Sequence, residues 1–313
     1  MKKILILLLG LLTVVCSASA EEGLFIKGGS GAQLNNEYYM TVSEGETHAL
    51  VRIVQGGEPM LALRADYIGG MVVSGGTLYY LVQSDDCMEL MAYTGGGTKS
   101  VYRFAEDATV SDIGARDGLL FMLVDGRLHI LYPEHSMCIQ LSGVAMEEYV
   151  IHDDYAYYIS ADNRVEYELA DEAGSVAGAE RGKLCRVNMS TGRYEILLEE
   201  GADCLQYADG KLYFHYFEDR YLTGSGDDMT VNGRLYTYDI AAGKAEKLTE
   251  MYDWEFFAGN DGIYVLRSGA IVKLAGDTET ILCAVPQVVE VVSAGDSFIV
   301  FDVHNMTFGT FAK

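Results

Sequence analysis

Proline, tryptophan and basic residues are scarce in this chain, and each scarcity removes a class of explanation. Three prolines in 313 residues leave no Pro-rich linker, and no Ser-rich stretch divides the chain either. Twenty-two Lys and Arg stand against 46 Asp and Glu, a formal net charge of −24 at pH 7. A surface of that sign repels nucleic acid phosphates and anionic lipid, so nucleic acid is excluded as a partner. Beyond the first 20 residues no segment approaches the ~20 uninterrupted apolar residues of a membrane-spanning helix. Local signatures of catalysis are missing as well: there is no GxSxG elbow, HExxH or Walker loop. No CxxC or Cys/His ligand spacing exists, so neither a metal centre nor a cofactor is expected. Gly28-Gly29-Ser30-Gly31 and Gly95-Gly96-Gly97 are glycine-rich, but no helix pattern follows to offer its N-terminus to a phosphate, and they read as turns.

The opening residues, MKKILILLLGLLTVVCSASA, join two lysines to an apolar run and the small triplet Ala18-Ser19-Ala20. This is the pattern of a secretory signal peptide over residues 1–20, with a mature domain over 21–313. The rival reading, a lipid-anchored protein at Cys16, is disfavoured because Val15 precedes it where a small residue is usual. Removing Lys2 and Lys3 leaves 20 basic residues against 46 acidic ones, a net charge of −26. The simplest reading of that charge is solubility by self-repulsion. Export would leave Cys87, Cys138, Cys185, Cys204 and Cys283, an odd number lying in or beside apolar segments. They are expected as buried thiols rather than as a disulfide scaffold.

What the chain does have is repetition. Short apolar-aromatic segments follow Gly or Asp turns at EYYMTV (Glu37), TLYYLV (Thr77), GLLFMLV (Gly118), DYAYYIS (Asp154), GKLYFHYF (Gly210), GIYVLR (Gly262) and SFIVFDV (Ser297). Their spacings run from 35 to 56 residues, around the ~40–50 residues of a four-stranded propeller blade. Alternation resolves one unit into strands at 204–208, 211–217, 234–240 and 244–248, and the next at 254–258, 262–267, 270–274 and 279–283. Asp125-Gly126 suits a type I′ hairpin turn, which needs positive φ at both central residues. Helical periodicity is nearly absent; residues 168–180 contain helix formers, but Gly174 and Gly178 interrupt them. The pattern predicts an all-β, seven-bladed β-propeller of four-stranded antiparallel blades, with six or eight blades as alternatives. The last unit lacks a fourth strand, so the ring is expected to close by pairing the N-terminal strand 24–27 with the C-terminal blade, which would remove an exposed edge.

Units of the form D-G-x-L-Y followed by G-x-L-Y-x-Y, clearest at 209–248 and 154–198, resemble the Tyr-rich secreted bacterial β-propellers of the TolB-like and YWTD-like (low-density-lipoprotein-receptor-type) families. No YWTD tetrapeptide occurs; Leu235-Tyr236-Thr237-Tyr238 and Leu212-Tyr213-Phe214-His215 approximate it. The resemblance implies a fold and not an activity, since propellers carry many functions.

Two neighbouring units are long because insertions at 161–182 and 218–233 join their second and third strands. In a propeller such loops emerge beside the connections between blades, here Met251-Tyr252-Asp253-Trp254 with the single tryptophan. Long insertions in a compact fold tend to be functional. Arg164, Glu166, Tyr167, Glu218, Asp219, Arg220, Tyr221 and Trp254 mix charge with aromatic rings, as binding surfaces do. The expected function is therefore a non-enzymatic, monomeric scaffold, exported or held at the cell envelope, that binds a protein, peptide or cell-envelope ligand through this face. The alternative is an enzyme acting on glycans or peptides, its dispersed residues meeting at the channel mouth. Asp227 and Asp228 are a calcium candidate that lacks the full D-x-[DN]-x-[DN]-G series. The six histidines are scattered, and His129 and His215 fall within strands, so no histidine-based site is expected. Excising 161–182 is expected to leave the fold intact.

Overall fold

The computed structural model describes residues 25–44, 47–54, 58–84, 87–225, 228–250, 255–259, 261–267, 269–275, 278–284, 289–294, 297–302 and 307–313. The expected leader at 1–20 and the corner at 251–254 lie outside the described residues. The chain divides into two compact units: Met1–Asp125, Ile130–Ile139 and Val288–Lys313 form one, Gly126–His129 and Gln140–Gln287 the other.

The first unit opens with the short strand β1 (Ile26–Lys27) and continues as hairpin-linked meanders. β2 (Gly31–Leu34), β3 (Glu37–Glu44), β4 (Thr47–Val54) and β5 (Met60–Ala65) form one four-stranded antiparallel sheet, and β6 (Tyr67–Ser74), β7 (Thr77–Ser84), β8 (Cys87–Tyr93) and β9 (Thr98–Arg103) form another. β10 (Val110–Arg116), β11 (Leu119–Val124) and β12 (Arg127–Tyr132) follow. The division between the units runs through β12 and β13 (Met137–His152).

In the second unit β13 is followed by β14 (Tyr155–Ala170), β15 (Val176–Asn188), β16 (Tyr194–Ala208), β17 (Lys211–Thr223), β18 (Thr230–Asp239) and β19 (Lys244–Lys247), each paired with the next. β16 serves two meanders, because residues 194–196 pair with β15 while 202–208 pair with β17. β20 (Glu255–Gly259), β21 (Gly262–Arg267), β22 (Ala270–Ala275) and β23 (Thr278–Ala284) make a further four-stranded sheet. The chain ends in the first unit with β24 (Val289–Ala294), β25 (Ser297–Asp302) and β26 (Thr307–Ala312), a sheet of three strands among the described residues. The sheets of the described residues are antiparallel, and no helix among those residues is long and apolar enough to cross a membrane.

Turn chemistry sets the register. Asp117-Gly118, Asp125-Gly126 and Asp209-Gly210 all have positive φ at both positions, the backbone of a type I′ turn whose twist matches the flanking strands. The first strands of successive meanders also carry a bulge, in β6, β10, β13 and β16. In three of these the extra residue is left-handed: Gly70, Asp112 and Cys204. Bulges re-aim side chains, and the one at Cys204 matters below.

The N-terminal strand does not pair with the last sheet as the sequence suggested. Ile26 pairs with Ala115 and Lys27 with Gly114 of β10. Gly114 permits this, because a Cβ there would run into the Phe25 ring, which packs edge-on against Phe121 at 6.1 Å. Contact between the chain's first and last sheets is made by faces instead. Tyr38, Met40, Val42 and Ile53 share a buried cluster with Val292, Ala294, Ile299 and Phe301. No disulfide joins the five described cysteines; Cys87 and Cys185 are buried, but Cys204 is exposed, against expectation.

Candidate functional site: paired hairpin arms and the bulge at their root

The two insertions are not loops. β14 and β15 pair regularly from Tyr155↔Asn188 to Ile159↔Leu184, break at a bulge, and resume from Arg164↔Gly182 to Ala170↔Val176. β17 and β18 do the same, breaking after Tyr216↔Arg234 and resuming from Arg220↔Gly233 to Thr223↔Thr230. Each insertion thus extends its hairpin into an arm that begins with an arginine facing a glycine. Neither glycine has room for a side chain: a Cβ on Gly182 would strike the Ser160 carbonyl, and one on Gly233 would lie 2.8 Å from the Tyr216 carbonyl and 2.9 Å from the Phe217 ring. The first arm turns at Asp171, whose carboxylate accepts from the Ser175 N–H at 2.8 Å.

Alternation along the arms explains why they are strands and why they meet. Val165, Tyr167, Leu169, Ala177 and Ala179 lie on one face of the first arm and pack with Phe217, Leu222, Met229 and Val231 of the second. Tyr167 and Phe217 stack with centroids 5.4 Å apart. Arg220 covers the Tyr167 ring at 4.9 Å and Arg181 covers Phe217 at 4.9 Å, so each ring has a cation on it. The Tyr167 hydroxyl donates to Glu200 Oε2 at 2.9 Å and accepts from the Gly201 N–H at 2.6 Å. Burial pushes this hydroxyl up to about 12, and it keeps its proton. Removing 161–182 would therefore uncover Phe217 and Val231, now 1% and 2% exposed; the insertion is part of a core, contrary to the expectation that it is dispensable.

The residues singled out from the sequence divide accordingly. Tyr167 is buried at 5% exposure and belongs to the arm core, because its odd-numbered position faces inward. Arg164 is held by Glu147 and by Glu180, the latter at 3.0 Å. Arg220 also donates to the Phe217 carbonyl at 3.1 Å, and Tyr221 lies under Arg234 at 5.2 Å. Asp219 bridges Lys247 at 2.9 Å and Arg234 at 3.3 Å; Lys247 chiefly, with Arg234, holds its carboxyl below the usual range against the opposing effect of burial. Glu166 and Glu218 are exposed. Trp254 and Asp227 fall outside the described residues, and Asp228 is exposed. On the outward face of the first arm Glu166 stands directly opposite Glu180, with exposed Glu168 beside them.

At the root of the arms lies a cluster that sequence spacing did not single out. Asp203 of β16 pairs across to His215 of β17, and the His215 Nδ1 lies 3.2 Å from Asp203 Oδ1. Arg181 Nε donates to the other oxygen, Oδ2, at 2.7 Å. Burial raises the Asp203 carboxyl, but His215 and Arg181 together outweigh it and hold it low. His215 is 7% exposed, its ring edge-on to Phe256, and its Nε2 is buried without a hydrogen-bond partner among the described residues. Cys204 follows Asp203 at the bulge with φ of 58°. Its N–H and that of Leu205 donate to the two oxygens of Glu148 at 2.9 and 2.8 Å, which fixes the kink. Ligand atoms of Asp203, Cys204 and His215 all lie within 4.8 Å of one another. The Asp209-Gly210 turn was the signal that fixed this: it sets 208 opposite 211, and counting back with one bulge brings 203 opposite 215.

No family model matches the chain, and no curated protein matches its sequence. Solved structures do match. The extracellular domain of a proposed one component system from B. thetaiotaomicron superimposes with a TM-score of 0.57 at 10% identity, over 91% of this chain and 38% of that one. An uncharacterized protein from Listeria monocytogenes EGD-e gives 0.50 at 9% identity, over 93% and 96%. A chain of the nidogen/laminin complex gives 0.45 at 12% identity, over 92% and 93%. The structural neighbours are β-propellers. At these identities the likeness bears on the fold alone: an all-β chain of antiparallel sheets of the kind propellers are built from.

The first unit contains a separate cavity of about 470 Å³ between β3–β5 and β7–β9, lined by Tyr39, Leu50, Leu63, Met91 and Tyr93 among others. Arg52 also borders it but is committed to the Glu37 carboxylate, so the cavity presents chiefly apolar walls.

Proposed function

We propose that the chain is an exported, seven-bladed β-propeller, a single domain over residues 21–313, that acts without catalysis as a monomeric scaffold binding a basic protein or peptide segment through the acidic outer face of its paired arms. Export is supported by the pattern of the first 20 residues. The blade number is supported by the spacing of the repeats and by the four-stranded meanders.

The observation that carries the binding role is the facing pair Glu166↔Glu180 on an arm that has its own core. Like charges directly opposite on a sheet are destabilising. Arg164 relieves Glu180, while Glu166, Glu168 and Glu218 stay exposed. Folding gains nothing from that surplus; a cationic partner would. The test immobilises the mature protein, captures material from a cell-envelope extract, and repeats the capture with a Glu166→Gln/Glu168→Gln/Glu218→Gln variant. Specific capture is expected to disappear in the variant and at about 1 M salt, where the Debye length is about 3 Å. The same proteins captured equally by the folded variant would defeat the reading and leave the charge as a solubility device.

A further inference from the structure

We propose that Asp203, Cys204 and His215 form a binding site for one borderline divalent transition-metal ion of the zinc class, at the root of the arms. The three groups are chemically matched to such an ion and to few others. A thiolate and an imidazole select zinc, cobalt or copper over calcium and magnesium, which take oxygen ligands.

Geometry agrees. Two ligands on a tetrahedral zinc with bonds of about 2.0–2.1 Å stand about 3.3 Å apart, and His215 Nδ1 and Asp203 Oδ1 are 3.2 Å apart. The cation would take the place of the proton that now lies between them. The third ligand atom, Cys204 Sγ, completes a set whose atoms lie within 4.8 Å of one another. Arg181 holds the other Asp203 oxygen, so Asp203 can bind through Oδ1 without releasing its partner in the first arm. This guanidinium also orients the carboxylate, as outer-shell groups do at metal sites.

The backbone is shaped for the arrangement. Cys204 occupies the left-handed bulge position held in other meanders by Gly70 and Asp112, and the Glu148 carboxylate fixes its amide. The bulge therefore presents Asp203 and Cys204 in succession toward one strand partner. Cys204 is exposed while His215 is buried, which gives the ion an access route from solvent. Imidazole and carboxylate alone would be an ordinary buried hydrogen bond; the thiol within 4.8 Å of both completes a metal-ligand set.

The test uses the mature protein, reduced and stripped of metal, titrated with Co²⁺ and then with Zn²⁺. One Co²⁺ per chain is expected, with a thiolate-to-cobalt charge-transfer band that Zn²⁺ abolishes. Cys204→Ser should remove the band and weaken Zn²⁺ binding by about 100-fold or more, since even outer-shell losses cost about 10–100-fold. Asp203→Asn should weaken binding and keep the band, and Cys283→Ser should change neither. His215→Gln is buried and would be read only if circular dichroism shows it folded; the exposed Cys204→Ser variant decides the matter without it. Absence of one-to-one uptake at micromolar Co²⁺, or uptake undiminished in Cys204→Ser, would overturn the assignment.

Discussion

Substitution of Tyr167 separates the two things that hold the arms together. Tyr167→Phe removes only the hydroxyl, which accepts from the buried Gly201 N–H and donates to Glu200. Leaving a buried backbone donor unpaired costs about 1–3 kcal/mol. Tyr167→Ala also removes the ring, for which large-to-Ala changes in a core cost about 3–5 kcal/mol. That total includes the Phe217 stack, about 0.5–1.5 kcal/mol, and the Arg220 contact, about 0.5–1 kcal/mol. Among the described residues the arm core has four buried members, Tyr167, Ala177, Phe217 and Val231, so it should open locally before the remaining sheets do. Hydrogen exchange is the direct assay. In Tyr167→Ala, amide protection should fall in both arms, 164–182 and 220–233, although only the first is altered, while β20–β23 stay protected. A double-mutant cycle with Phe217→Ala should show a coupling of about 1 kcal/mol. Protection lost in the first arm alone, or a coupling near zero, would mean that the arms do not share a core.

Asp219 is read as an internal bridge rather than a recognition residue. Because the pair is one-third exposed, Asp219→Asn should cost no more than about 0.5–1 kcal/mol in urea denaturation, and the difference should vanish in molar salt. High pH supplies another measurement. Tyr167 and Tyr216 are pushed up to about 12, chiefly by burial, and Cys185 to about 11. Each binds its proton more tightly folded than unfolded, so the stability it contributes is complete below its unfolded pKa, about 10 for Tyr and 8.5–9 for Cys. That stability is lost as pH rises through about 11–12. The urea midpoint should fall across this window, and Tyr167→Phe should reduce the slope; an identical slope would argue against a buried, protonated Tyr167.

Much of the strand order was legible because it depends on local chemistry: Asp-Gly turns set hairpin registers, and period-two alternation marks the segments between them. The strand expected at 262–267 has those limits in the structure. What misled was treating length as irregularity. VEYEL at 165–169 and VAGA at 176–179 alternate as plainly as any strand, but each half-buries a face only because the other arm is there to cover it. A tertiary partner, not local propensity, decided between loop and strand. The N-terminal pairing failed for a similar reason, since nothing in residues 24–27 announces that Gly114 leaves space for Phe25.

The Asp203–His215 contact lies between these cases. The turn at Asp209-Gly210 fixes one register and a bulge changes it by one residue, so the pairing follows only if the bulge is known. In β6 and β10 the bulge position holds Gly70 and Asp112, residues that tolerate a left-handed backbone. Cys204 has no such tolerance, and neither a turn nor a core explains a thiol that is strained and exposed together. Strain at a non-glycine residue persists where its surroundings hold it, and here the two Glu148 oxygens hold it. A repeat departs from its own rule at the position where one side chain is needed for something besides the repeat.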